Sequence, residues 1–191
     1  MNMQEESLAY VEGVVDVSIL VPVCFENPLK ELATNFVAEA LAQRSRAIVP
    51  VTSVMGAYHI ATRYLGIPKL AVKKVLEGIL RTKSSALCSE VAPELAEDAL
   101  NYAVAYGVES WDGYLIALTR SLGAKTVYSL DEELSKVKEV SVNCPFTREK
   151  LNEYHQYVEG VLKRQGISSL IHNAHKGQRA KKEHARRYPR R

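Results

Sequence analysis

The chain has 191 residues, 47% of them apolar, enough for one packed domain of about 100 to 150 residues and an appendage. No apolar stretch approaches the ~20 residues that span a bilayer, Met1 to Ser7 carries acids where a signal peptide carries bases and an apolar run, and Cys24, Cys88 and Cys144 fit neither a zinc knuckle nor a disulfide framework. The expectation is a cytoplasmic protein with reduced thiols and no membrane segment. The net charge of +3 is asymmetric: Lys176 to Arg191 holds 8 Lys/Arg against one acid, Glu183, which leaves 17 basic and 21 acidic residues before it.

Val14 to Leu20, rich in β-branched residues and interrupted by Asp16 and Ser18, predicts a buried parallel strand. Asn27-Pro28 opens a helix, and apolar residues at Leu29, Leu32, Ala33, Phe36, Val37, Ala40 and Leu41 carry it to about Gln43. Ala47 to Val49 predicts a second strand. Thr52 or Ser53 caps a helix to Tyr64 or Leu65, and a further helix follows Ile67-Pro68 to Leu80. Ser84 to Cys88 predicts a third strand, and Pro93 starts a helix that Gly107 stops after Tyr106. Ser110 is placed as N-cap of a helix from Trp111 to Leu122. Thr126 to Tyr128 predicts a strand, Asp131 begins a turn or short helix, and Val140 and Val142 mark an edge strand closed by Pro145. A last helix runs from Thr147 to about Gln165. Helices alternating with short strands imply an α/β sandwich on a parallel sheet. The expected division is 1–145 for the domain, 146–166 for the C-terminal helix and 167–191 for a basic tail.

Asp16, Asp112 and Asp131 each end or adjoin an apolar run, where an unpaired charge costs several kcal/mol, on the order given for buried ions. Each therefore needs an edge position and a partner, backbone donors or a cation. Sites in parallel sheets form outside the carboxyl ends of the strands, and all three acids can reach one such edge. Three carboxylates with retained waters suit Mg²⁺ or Mn²⁺, and Ser18 and Ser129 are placed to hold the carboxylates or the waters. The competing reading gives each Asp separate structural work, as a first-turn, turn or edge residue.

Three motifs in order resemble the PIN-domain nucleases, which include the toxin ribonucleases of toxin-antitoxin pairs and RNA-processing endonucleases. They are Asp16 with Ser18 at the end of the first strand, Trp111-Asp112-Gly113-Tyr114-Leu115-Ile116-Ala117-Leu118 followed by Leu122-Gly123-Ala124-Lys125, and Ser129-Leu130-Asp131 with Leu134 after it. The resemblance implies a three-layer α/β/α sandwich with a central parallel sheet. It also implies Mg²⁺- or Mn²⁺-dependent cleavage of single-stranded RNA by Asp16, Asp112 and Asp131, and either an antitoxin or an RNA-processing partner. The family usually carries a further acid in its second main helix. Here Val54-Met55-Gly56-Ala57-Tyr58-His59-Ile60 contains no carboxylate, and His59 is the residue there able to stand in as a ligand or water-orienting group. An alternative implication is thus a PIN-like RNA- or protein-binding module that does not cut.

Trp111 reads as an anchor in the core or at the helix start ahead of a base-stacking platform. Glu97 and Asp98 read as a solvated helix face. Gly56 and Ala57 allow close packing against a neighbouring element or in a homodimer. His172, His175 and His184 have irregular spacing for a metal site and read as part of the solvated tail. Lys176, Arg179, Lys181, Lys182, Arg186, Arg187, Arg190 and Arg191 suit an RNA phosphate backbone, with Tyr188 available to stack on a base.

Overall fold

A computed structural model describes residues 10–165. The basic tail and its histidines lie outside the described residues. The elements are β1 (Gly13–Val15), α1 (Val17–Leu20), a 3-10 turn (Val21–Cys24), α2 (Lys30–Leu41), β2 (Ala47–Pro50), α3 (Val51–Arg63), α4 (Lys69–Arg81), β3 (Leu87–Cys88), α5 (Pro93–Tyr106), α6 (Ser110–Ser121), β4 (Thr126–Tyr128), a second 3-10 turn (Glu132–Lys136), β5 (Ser141–Asn143) and α7 (Arg148–Arg164). The strands form one parallel sheet in the order β3-β2-β1-β4-β5. From β1 the chain winds outward through β2 and β3, then returns to the other side of β1 as β4, so β1 and β4 flank the switch point where parallel sheets open a crevice.

Strand alternation divides the core between two helical layers. Val14 and Val127 pack with Leu95, Ala99, Leu115, Ile116 and Leu118 of α5 and α6. Val15, Val49 and Tyr128 point to the other face, into a cluster with Ile19, Leu20, Leu29, Val37, Val54, Val72 and Leu76 from α1 to α4. The result is a three-layer α/β/α sandwich. Helix α7 joins the second cluster: Tyr154 is buried, Leu151, Val158 and Leu162 pack beside it, and the Gln165 amide donates to the Leu65 carbonyl at 2.6 Å.

Several boundaries differ from the sequence reading. The first strand stops at Val15, and Val17–Leu20 is helical. Asp16 is extended (φ −74°, ψ 157°) and N-caps α1, its carbonyl accepting from the Ile19 amide at 3.2 Å. Ile19 and Leu20 are adjacent and both fully buried, which a helix inside the α2–α3 layer permits and a strand with one face on each layer does not favour. Pro50, not Thr52 or Ser53, occupies the N-cap of α3. Ser53 instead donates to the Val15 carbonyl at 3.2 Å, tying α3 to the exit of β1. Helix α2 starts at Lys30, two residues past Pro28, because Asn27 forms a turn whose side-chain oxygen accepts the Leu29 amide at 2.9 Å. Ser84 spends its hydroxyl on the Leu41 carbonyl and the Ala86 amide, so β3 is only Leu87–Cys88. Helix α6 is capped by Glu109 rather than Ser110.

Gly56 and Ala57 do their packing within the chain. A Cβ on Gly56 would lie 3.1 Å from Val17 Cγ2, and Ala57 is fully buried. Gly56 thus lets α3 approach α1 closely at Val17.

Candidate active site

Asp16 leaves the sheet at the switch point. Its amide donates to the Tyr128 carbonyl at 2.9 Å, the last rung between β1 and β4. The residue is buried, 5% exposed. Oδ2 accepts the Ser18 hydroxyl at 2.5 Å and the Ser129 hydroxyl at 2.7 Å. Burial raises its pKa above the usual carboxylate range, while the two hydroxyls and then the amides of Ser18 and Val17 oppose that rise. The same serines fix the loop after β4: Ser18 Oγ accepts the Leu130 amide and Ser129 Oγ the Asp131 amide, each at 2.9 Å. Thus the Asp-x-Ser and Ser-x-Asp motifs, more than a hundred residues apart, form one hydrogen-bonded unit.

Asp112 enters from the other layer, in the first turn of α6. Its Oδ2 accepts the Glu109 amide at 3.3 Å, within a capping box built with Glu109. Burial pushes its pKa up to about 6; the Glu109 amide works against this, and the charges of Asp131, Asp16 and Glu109 add to it. Asp112 therefore has the structural role of a first-turn acid and also feels both other aspartates. Asp131 is exposed on the loop beyond β4. The three acids share one electrostatic neighbourhood at the carboxyl ends of β1 and β4.

Hard carboxylate and hydroxyl oxygens in mutual repulsion fit Mg²⁺ or Mn²⁺ by donor chemistry. Among the described residues, however, no group of three or more His, Cys, Asp or Glu side chains is close enough to hold a metal ion between them. The arrangement suits an ion that keeps several of its waters and does not form a closed protein cage.

The PIN-domain family model matches residues 13–140, more than half of the chain. The chain belongs to the PIN-domain family. PIN domains are generally nucleases that bind RNA and use divalent metal ions. A solved structure, PAE2754 from Pyrobaculum aerophilum, is similar at 17% identity and a TM-score of 0.49, covering 82% of this chain and 96% of that one. No curated protein matches the sequence. No helix among the described residues is long and apolar enough to cross a membrane.

In this PIN domain, His59 takes part in none of the hydrogen bonds that join Asp16, Ser18 and Ser129. It is exposed on α3, its ring edge-on to Tyr64 with centroids 5.5 Å apart, and no hydrogen bond described for Asp16 or Asp112 runs to it. Trp111 is not an anchor: it is 59% exposed and absent from the three hydrophobic clusters. Glu109 is the site residue the sequence reading missed. The three-residue spacing of Glu109 and Asp112 ahead of an apolar run was the available sign of it. The eight basic residues of the tail lie outside the described residues.

Proposed function

We propose that this PIN domain is a divalent-metal-dependent endoribonuclease acting on single-stranded RNA, with Asp16, Asp112 and Asp131 as its acidic centre and Mg²⁺ or Mn²⁺ as cofactor. The observation that carries the reading is the hydrogen-bonded unit at the switch point in which Ser18 and Ser129 hold the Asp16 carboxylate and the backbone of Asp131, with Asp112 raised by burial first and by the charges of Asp131 and Asp16 after it. Burying Asp16 and half-burying Asp112 within reach of one another's charge works against folding, and a cation relieves it. Asp16 is held in one orientation by Ser18 and Ser129, and those serines also set the backbone from which Asp131 projects. Asp112 supplies the third charge from a helix pinned in the opposite layer. A bound ion would polarise the phosphodiester and lower the pKa of an attacking water. The cationic tail would add affinity for the RNA backbone without sequence preference. An antitoxin or RNA-processing partner, a homodimer and a cytoplasmic location accompany this reading.

The absence of a carboxylate from Val54 to Ile60, together with the spread of the acids, favours a second reading: a PIN domain that binds RNA or protein without cutting. End-labelled single-stranded RNA incubated with the full chain and Mn²⁺ separates the two. The nuclease reading expects fragments that EDTA removes and that Asp112→Asn fails to produce. RNA left intact by the wild-type chain, with no calorimetric heat of Mn²⁺ binding, leaves the binding module.

A further inference from the structure

We propose that Trp111 is a stacking platform for an unpaired RNA base beside the acidic centre; the proposal rests on reading that centre as an RNA site. Trp111 is the chain's single tryptophan, and 59% of it faces solvent. An indole buries about 150–250 Å² when used in a core, so its exposure leaves most of its contribution to folding unrealised. Its direction is fixed by its own helix. At Gly113, α6 presses so closely on α5 that a Cβ would fall 2.1 Å from the Ala99 carbonyl oxygen. With about 100° of rotation per residue, Trp111 lies roughly 160° around the helix from Gly113 and so faces away from α5. Leu115 and Leu118, which share Trp111's side of α6, are buried, so the indole is exposed because it sits in the first turn of α6, ahead of that packed stripe.

The next residue is Asp112, its Cα about 3.8 Å along the chain. A flat apolar face is thus mounted one residue from a carboxylate that senses both other acids. A nucleotide whose phosphodiester approaches those acids brings its base to the neighbourhood of the indole. Stacking needs only a π face and tolerates any base, whereas bases in a duplex have both faces covered by their neighbours. The platform therefore selects for unpaired RNA while leaving base identity open. An exposed tryptophan also suits a protein partner, but its adjacency to Asp112 favours the nucleotide.

The single tryptophan supplies its own probe. The full chain is mixed with a short labelled single-stranded oligoribonucleotide in Mg²⁺, read at first mixing, and again in EDTA; RNA anisotropy reports binding and indole emission reports contact. The expected result is saturable quenching that follows the anisotropy, and about tenfold weaker binding by Trp111→Ala, equivalent to about 1.4 kcal/mol, with Trp111→Phe near wild type. The same RNA annealed to its complement should leave the emission unchanged. Anisotropy without quenching and equal affinity for Trp111→Ala would overturn the platform while leaving RNA binding in place. Equal quenching by the duplex would overturn the unpaired-base selection. No anisotropy change in either condition would overturn both the platform and the RNA reading, and loss of cleavage alone touches only the nuclease reading.

Discussion

Ser129 donates its hydroxyl to Asp16 Oδ2 at 2.7 Å across 113 positions of sequence, and Ser129 Oγ in turn accepts the Asp131 amide at 2.9 Å. One side chain thus orients the first acid and the backbone of the third. Ser129→Ala leaves a buried carboxylate with Ser18 as its remaining side-chain donor and removes the acceptor from the Asp131 amide. The expected cost is about 1–3 kcal/mol in urea unfolding. Asp16→Asn in the same background should recover part of it, since the group left under-solvated is then neutral. Strictly additive losses in the double-mutant cycle would show that the two residues act independently.

Asp112 gives the fold a pH dependence. Its folded pKa of about 6 lies above the ordinary 3.8, so between these values the native state binds a proton that the unfolded chain has released. Stability therefore declines as pH rises from about 4 to about 6 and then levels off as far as this group is concerned. Asp112→Asn retains an oxygen for the Glu109 amide and carries no charge. The variant should melt higher than wild type at pH 7 without metal and lose most of the slope between pH 4 and 6. A lower melting temperature at pH 7 would mean that the capping role outweighs charge burial.

Most of the fold was legible because periodicity reports which side chains are buried. The switch from alternation to helical spacing located β2, β4 and all the longer helices, and Pro93 and Thr147 marked two helix starts. Val17–Leu20 was misread because Val and Ile favour strands locally, while its helix is imposed by packing against α2 and α3. The Asp16-x-Ser18 and Ser129-x-Asp131 spacings identified partners that meet in space. Spacing reveals neither that α6 presses on α5 at Gly113 nor that the first turn of α6 stands clear of the packed stripe of Leu115 and Leu118, and so it sent Trp111 inward.

Gly113 tests that contact. In an exposed helix, Gly→Ala would stabilise by about 0.5–1 kcal/mol. Here the added methyl meets the Ala99 carbonyl at 2.1 Å and the Ala103 amide nitrogen at 3.1 Å, both backbone atoms that move only with α5. Steric cost should win, and Gly113→Ala is expected to destabilise by about 3 kcal/mol, at the upper end for overpacking, with a shift in Trp111 emission as α6 moves. An unfolding midpoint at or above wild type would show that the helices can separate freely.

The basic tail should be visible in the salt dependence of RNA binding. It carries 8 Lys/Arg, and each phosphate neutralised on a single strand contributes about −0.7 to the slope of log K against log salt. Removing residues 166–191 should flatten that slope by several units and weaken binding most at low salt. An unchanged slope would assign the affinity to the folded domain.

Metal binding should stabilise the native state through the same charges that oppose its folding. An ion bound only by the folded protein contributes about 2.7 kcal/mol when present at a hundred times its Kd. Saturating Mn²⁺ should therefore raise the melting temperature at pH 7, and the gain should shrink toward pH 5, where protons occupy Asp112 and compete with the ion. Asp16→Asn and Asp112→Asn should each lose most of the metal-dependent gain. They should differ without metal: Asp112→Asn removes a half-buried charge raised by its surroundings and melts higher, while Asp16→Asn also disturbs the bonds from Ser18 and Ser129 and gains less. An identical Mn²⁺ shift in wild type and both variants would place the ion elsewhere and leave the three aspartates with structural roles alone.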